Sequence, residues 1–85
     1  MYFVYVLRSE ATGQHYVGYT SDLTQRVGQH NSGITKSTKN RGPWKVFHWE
    51  EYPIKAEAMR REGFLKTGQG REELKRFLVV EHSAG

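Results

Sequence analysis

Tyr2-Phe3-Val4-Tyr5-Val6-Leu7 and Tyr16-Val17-Gly18-Tyr19-Thr20 decide the fold, because both stretches consist almost wholly of β-branched and aromatic residues that fit a pleated surface. Glu10-Ala11-Thr12-Gly13-Gln14 supplies a turn between them, with Gly13 available for a positive φ. The pair reads as a β-hairpin. Side chains alternate along a strand, so Phe3, Tyr5 and Leu7 share one face of the first strand, and Tyr16, Gly18 and Thr20 share one face of the second. Each strand thereby places a tyrosine, and Gly18 leaves room for a group to approach the backbone.

Beyond Thr20 the period changes. Ser21 or Asp22 can cap a helix on which Leu23 and Val27 recur four residues apart, and Asn31-Ser32-Gly33 ends it. Arg26 and His30 are also four apart, one turn from each other and beside the apolar stripe, so both border the sheet. From Ile34 to Lys45 periodicity is lost while Lys36, Lys39, Arg41 and Lys45 accumulate without an acidic residue, which marks a basic loop. Trp44 to Tyr52 has the aromatic, alternating character of a third strand. Pro53 and Ile54 open a second helix to Lys66; Ile54, Ala58 and Leu65 cluster on one side of it and Met59 lies further round, with Glu62 between them in the apolar sector. A carboxylate there needs a cation, since an uncompensated buried charge costs several kcal/mol. The bland alternative is that Glu62 sits at the rim and pairs with Arg60, Arg61 or Lys66. Thr67-Gly68-Gln69-Gly70 breaks this helix, and a third, from Arg71 to Val80 with Leu74, Phe77 and Leu78 on one face, is expected only to pack on the sheet. Residues 81–85 are expected to fray.

A chain of 85 residues is read as one domain, 1–85. Lys and Arg number 13 against 9 Asp and Glu, for a formal charge of +4, and a polyanionic partner is the first expectation from that balance. There is no cysteine, which excludes disulfides, thiolate metal sites and a cysteine nucleophile. No apolar run approaches the roughly 20 residues needed to span a bilayer. Met1 leads straight into a strand pattern with no signal-peptide features, so a soluble, cytoplasmic chain without a membrane partner is expected. Walker, zinc-protease and nucleophile-elbow motifs are absent.

Tyr5, Tyr16, Arg26, His30 and Glu62 come from separate elements and could converge. In this arrangement the chain resembles the GIY-YIG nuclease superfamily, most closely its small stand-alone members, from Tyr2 to about Phe77. Phe3-Val4-Tyr5 stands where the name motif has Gly-Ile-Tyr and keeps only its tyrosine; Tyr16-Val17-Gly18 matches with Val for Ile. Arg26 to Gly33 resembles the R-x-x-x-H-N-x-G run, and Ala58 to Glu62 with Leu65-Lys66 resembles A-x-x-x-E-x-x-L-K. Position 19 is Tyr where the DNA-repair excision nuclease subunit has Lys, so a role for that lysine does not carry over.

The resemblance implies an α+β fold, a small, mainly three-stranded antiparallel sheet flanked by helices in the order β-β-α-β-α-α, which agrees with the pattern above. It implies endonucleolytic hydrolysis of DNA phosphodiesters with one divalent metal, Mg²⁺ or another such as Mn²⁺, with RNA left open as a substrate. Glu62 would hold the metal and Arg26 a phosphate oxygen. Tyr5 and Tyr16 are both candidates for the base that activates water, with Tyr16 favoured slightly because its motif is better kept. His30 could hold the tyrosine in place or act as the base itself. Gly18 and the loop cations Lys36, Lys39 and Arg41 are the expected nucleic-acid contacts, and Trp44 or Trp49 could stack on bases, though both also suit a core. The competing expectation is a non-catalytic nucleic-acid-binding module that keeps the fold.

Overall fold

A computed structural model describes residues 1–84, with side chains described through residue 77. The order is β1 (Tyr2–Ser9), β2 (His15–Thr20), α1 (Leu23–Ser32), β3 (Trp44–Tyr52), α2 (Lys55–Leu65) and α3 (Gly68–Ala84). This is the expected β-β-α-β-α-α arrangement around a three-stranded antiparallel sheet of order β2-β1-β3. The central strand is the one richest in valine and aromatic residues, as a strand covered on both faces must be. Gly13 and Gly33 take the positive φ expected of them, 76° and 82°, and Asp22 rather than Ser21 caps α1 by accepting from the Gln25 amide at 3.1 Å.

The register settles the faces. Phe3 pairs with Thr20, Tyr5 with Gly18 and Leu7 with Tyr16, so the two groups of the hairpin lie on the same side. There α1 covers Tyr5 and Leu7 with Leu23 and Val27, and Trp44 completes the cluster. On the opposite side Val4, Val6 and Val17 pack against Ala58 and Leu65 of α2 and Leu74 of α3, with Phe77 partly buried beside them. A bulge in the β1–β3 pairing at Val6/Leu7 lets Phe47 join this second cluster.

Glu50 ties the second layer together. Burial by itself would raise its carboxyl pKa, yet hydrogen bonds from Arg61, Tyr52 and His48 hold it at about 2. Arg61 grips Glu50 through Nε at 2.9 Å and Nη2 at 3.0 Å and also reaches Glu73, so β3, α2 and α3 share one charged clamp.

Three expectations change. Ile54 is the N-cap of α2 and stays exposed, because its position precedes the first turn that meets the sheet. The α3 helix begins at Gly68 rather than Arg71, since the Thr67 hydroxyl accepts from the Gly70 amide at 3.2 Å and starts the helix there. It runs on to Ala84 where a frayed tail was expected; Gly85 lies outside the described residues.

Candidate functional site

Arg26 and His30, one turn apart on α1, both meet the hairpin. The Arg26 Nε–H points to the Tyr5 hydroxyl at 3.4 Å, and Nη1 donates to Gln29 Oε1 at 2.9 Å. An arginine only donates, so the phenol must direct its own proton elsewhere, and His30 Nε2 lies 2.9 Å away to accept it. That places the ring proton on Nδ1, which donates to Thr38 Oγ1 at 2.7 Å, while the Thr38 hydroxyl points to the Thr35 carbonyl at 3.4 Å. The result is a directed chain from Arg26 through Tyr5 and His30 to Thr38. His30 is 2 % exposed and Thr38 1 %. Burial, with the Arg26 charge adding to it, lowers the His30 pKa to about 4, so the ring is neutral near pH 7. Its ordinary value of about 6.5 applies in the unfolded chain, so its contribution to stability is full above pH 6.5 and is lost as pH falls toward 4.

Burial also raises the Tyr5 pKa against the hydrogen bond and charge of Arg26, with the charges of Tyr16 and Glu62 adding to the rise. Glu62 itself lies on α2, which packs on the opposite face of the sheet from Tyr5 and α1. The Glu62 side chain is 20 % exposed and pairs with Lys66 at 3.1 Å, the rim pairing that the sequence left open. Of the other two proposed partners, Arg61 is occupied by Glu50 and Glu73, and Arg60 is exposed.

Tyr16 differs from Tyr5. Its ring packs 4.8 Å from that of His30, yet it lines an open cleft and its hydroxyl has no hydrogen-bond partner among the described residues. Tyr5 is 1 % exposed and doubly engaged.

Gly18 is corrected. The space above it, expected to admit a nucleic acid, is filled by the Tyr5 ring: a Cβ at Gly18 would stand 2.5 Å from the Tyr5 hydroxyl. The glycine makes room for the family's other tyrosine. The basic loop is also not a slack connector. The Trp44 indole donates to the Thr38 carbonyl at 3.1 Å, Ser9 Oγ to the Arg41 carbonyl at 2.5 Å, and the Asn31 carboxamide grips both the amide and the carbonyl of Trp44. Lys36, Lys39 and Arg41 remain exposed. Trp44 is core, at 4 % exposed, whereas Trp49 stays half-exposed opposite Tyr5, edge-on to Phe3.

Thr38, Gln29 and Asn31 were not assigned site roles from sequence. Thr38 lies in a stretch with no periodicity, and nothing in its spacing marks it. Its role is testable. In Thr38→Val the buried His30 Nδ1–H loses its acceptor, for an expected destabilisation of about 1–3 kcal/mol, whereas Thr38→Ser keeps the hydroxyl and most of the stability. Chemical denaturation together with the ¹⁵N shifts of the His30 ring measures this; equal stability of the valine and native proteins would refute the assigned tautomer.

Among the described residues no cluster of three His, Cys, Asp or Glu side chains forms a metal cage. Glu62 is nevertheless a hard oxygen donor partly shielded from solvent, and Mg²⁺ commonly takes only one or two protein carboxylates and keeps its waters, so the residues present fit that ion.

The model of the GIY-YIG catalytic domain matches residues 1–75. A UPF0213 protein of Listeria welshimeri is 42% identical over 66 residues, covering 76% of this chain and 72% of its own length. One of Halobacterium salinarum is 43% identical over 67 residues, covering 78% and 86%. One of Staphylococcus epidermidis is 39% identical over 75 residues, covering 87% and 90%. The solution NMR structure of a UPF0213 protein from Bacillus halodurans superposes with a TM-score of 0.55 at 36% identity, over 89% of this chain and 84% of that one. Together with the hairpin tyrosines, the Arg26–His30 helix and Glu62, these matches make the chain a member of the GIY-YIG family.

Proposed function

We propose that the protein is a divalent-metal-dependent endonuclease that hydrolyses DNA phosphodiesters. The observation that carries the reading is the Arg26 guanidinium: Tyr5 and Gln29 hold it in place on α1 and leave it N–H donors to spare for a phosphate. Phosphoryl chemistry needs a fixed cation and an acidic metal ligand, and Glu62 is the carboxylate that the family helix offers for the second part.

Glu62 would hold the metal, which when bound would supply charge neutralisation at the phosphate and acidify a water. Arg26 keeps N–H donors beyond those engaged by Tyr5 and Gln29, and these face the developing negative charge of the pentacoordinate transition state. Tyr16 is the base. Tyr16 lines the cleft whereas Tyr5 is buried, so it is the tyrosine a water can reach; having first released its own proton to solvent, its phenolate would take the proton of the attacking water. His30 is unsuited to that task because both ring nitrogens are already engaged, Nε2 by Tyr5 and Nδ1 by Thr38. It positions Tyr5, and through Tyr5 it positions Arg26.

One feature favours the non-catalytic binding module instead: Lys66 already neutralises Glu62 at 3.1 Å. A single assay separates the two readings. Incubation with plasmid, single-stranded, branched and RNA substrates is expected to give cleavage of DNA in Mg²⁺ and none in EDTA. Binding without cleavage of any substrate in Mg²⁺ or Mn²⁺ would establish the binding module.

A further inference from the structure

A cleft of about 740 Å³ runs along β2 and is lined from both faces of the sheet, by Ser37, Arg41 and Trp44 on one side and by Leu65, Lys66 and Arg71 on the other. Elements from opposite faces can meet in this way only around a free edge, and β2 is an outer strand. Tyr16 lines the cleft, so it is continuous with the candidate site.

Four cations line it: Arg41 from the basic loop, Lys66 from the end of α2, and Arg71 and Lys75 from the start of α3. Among the described residues no carboxylate lines it. Lys66 and Lys75 have ion-pair partners, Glu62 and Glu72, while Arg71 has none among the described residues. The floor is apolar, formed by Val17, Leu65 and Leu74. Cationic walls over an apolar floor match a nucleic-acid strand, whose phosphates need charge and whose sugars and bases need contact surface.

The α3 cations reach the cleft because α2 and α3 join very tightly. A Cβ at Gly70 would stand 2.1 Å from the Phe64 carbonyl oxygen and 2.4 Å from Leu65 Cα, so only glycine allows that approach. Thr67 accepts from the Gly70 amide and its carbonyl from Arg71 at 2.9 Å, which fixes Arg71 beside Lys66. Two of the loop cations assigned to nucleic acid from sequence, Lys36 and Lys39, do not line the cleft.

We infer that this cleft is the path of the nucleic-acid strand leading away from the scissile phosphate, with Lys66, Arg71 and Lys75 as phosphate contacts opposite Arg41. The inference rests on the nucleic-acid reading above and adds a binding wall from the end of α2 and from α3, the latter expected from sequence only to pack on the sheet.

The test is binding of labelled single-stranded and duplex oligonucleotides in EDTA over a salt series, for the native chain, Arg71→Gln/Lys75→Gln, and the control Lys55→Gln/Arg60→Gln on exposed positions of α2 outside the cleft. The cleft variant is expected to lower the slope of log affinity against log salt by about 0.7 per lost contact on a single strand and about 0.9 on a duplex, with the control unchanged. Arg71→Gln alone serves should the double variant fail to fold. A native slope in the cleft variant, or an equal drop in the control, overturns the assignment while DNA cleavage by the native chain leaves the nuclease reading intact. A native chain that neither binds nor cleaves nucleic acid removes both. Dimerisation of the native chain that the cleft substitutions abolish would instead give the edge of β2 to a second copy.

Discussion

Tyr16→Phe is expected to lower single-turnover cleavage by about 10²–10⁴ while leaving stability unchanged, and Tyr5→Phe to do the reverse. The two tyrosines share the pleated face, but their hydroxyls live in different surroundings. Tyr16 lines the cleft and its hydroxyl has no hydrogen-bond partner among the described residues, so its loss removes a proton acceptor and no contact described as holding the fold. That of Tyr5 donates to a buried neutral His30, so its loss leaves Nε2 unsatisfied at a cost of about 1–3 kcal/mol. Arg26 loses one long contact in Tyr5→Phe but keeps Gln29, so the cleavage rate should stay within about tenfold of native, or about 1.4 kcal/mol. Single-turnover rates against pH, with denaturation of the same samples, decide between them. The loss in Tyr16→Phe should fall on the rate of the chemical step, with substrate and Mg²⁺ dependence unchanged. A stable, inactive Tyr5→Phe beside an active Tyr16→Phe would exchange the roles. Two active Phe variants beside an inactive His30→Ala would make His30 the base.

Much of this site was legible because its residues sit on regular elements. Period two grouped Tyr5 with Phe3 and Leu7 and Tyr16 with Gly18 and Thr20, and the four-residue spacing of Arg26 and His30 put both against the sheet; the register, which pairs Tyr5 with Gly18 and Leu7 with Tyr16, then brings the two groups to one face. What could not be read is what depends on closure in three dimensions. Thr38 enters through a loop without periodicity and is buried by the Trp44 indole, a contact that no local pattern encodes. Gly18 was correctly seen as room for an approaching group, but the occupant turned out to be the chain's own tyrosine. The apolar sector of α2 was drawn too wide: Ala58 and Leu65 are buried, but Met59 and Ile54 stay exposed because α2 lies over β1 and β2 with only a narrow stripe inward. Arg71 and Lys75 look like ordinary solvated helix charges in sequence, and only the tight packing at Gly70 brings them to the edge of β2.

Glu62→Gln and Arg26→Ala should each reduce cleavage by about 10²–10³ or more, and for separable reasons. Glutamine keeps the size of Glu62 and a carbonyl oxygen but no charge, so the expected signature is a large rise in the Mg²⁺ concentration needed for half-maximal rate. The fold should tolerate it, because the only ion pair lost is with Lys66, which is 54% exposed, and exposed pairs contribute about 0–1 kcal/mol. Arg26→Ala should leave the Mg²⁺ requirement unchanged and lower the maximal rate, since the guanidinium is assigned to charge that appears only in the transition state. Alanine also frees the Tyr5 hydroxyl from its long contact at 3.4 Å, so Arg26→Lys is the needed companion: it retains a positive charge but not the planar fork, and should recover part of the rate. Cleavage at the native rate by either Glu62→Gln or Arg26→Ala, on a substrate that the native chain cuts, would remove that residue from the site. A normal Mg²⁺ dependence in Glu62→Gln with a lowered maximum would keep Glu62 in the chemistry but take the metal away from it.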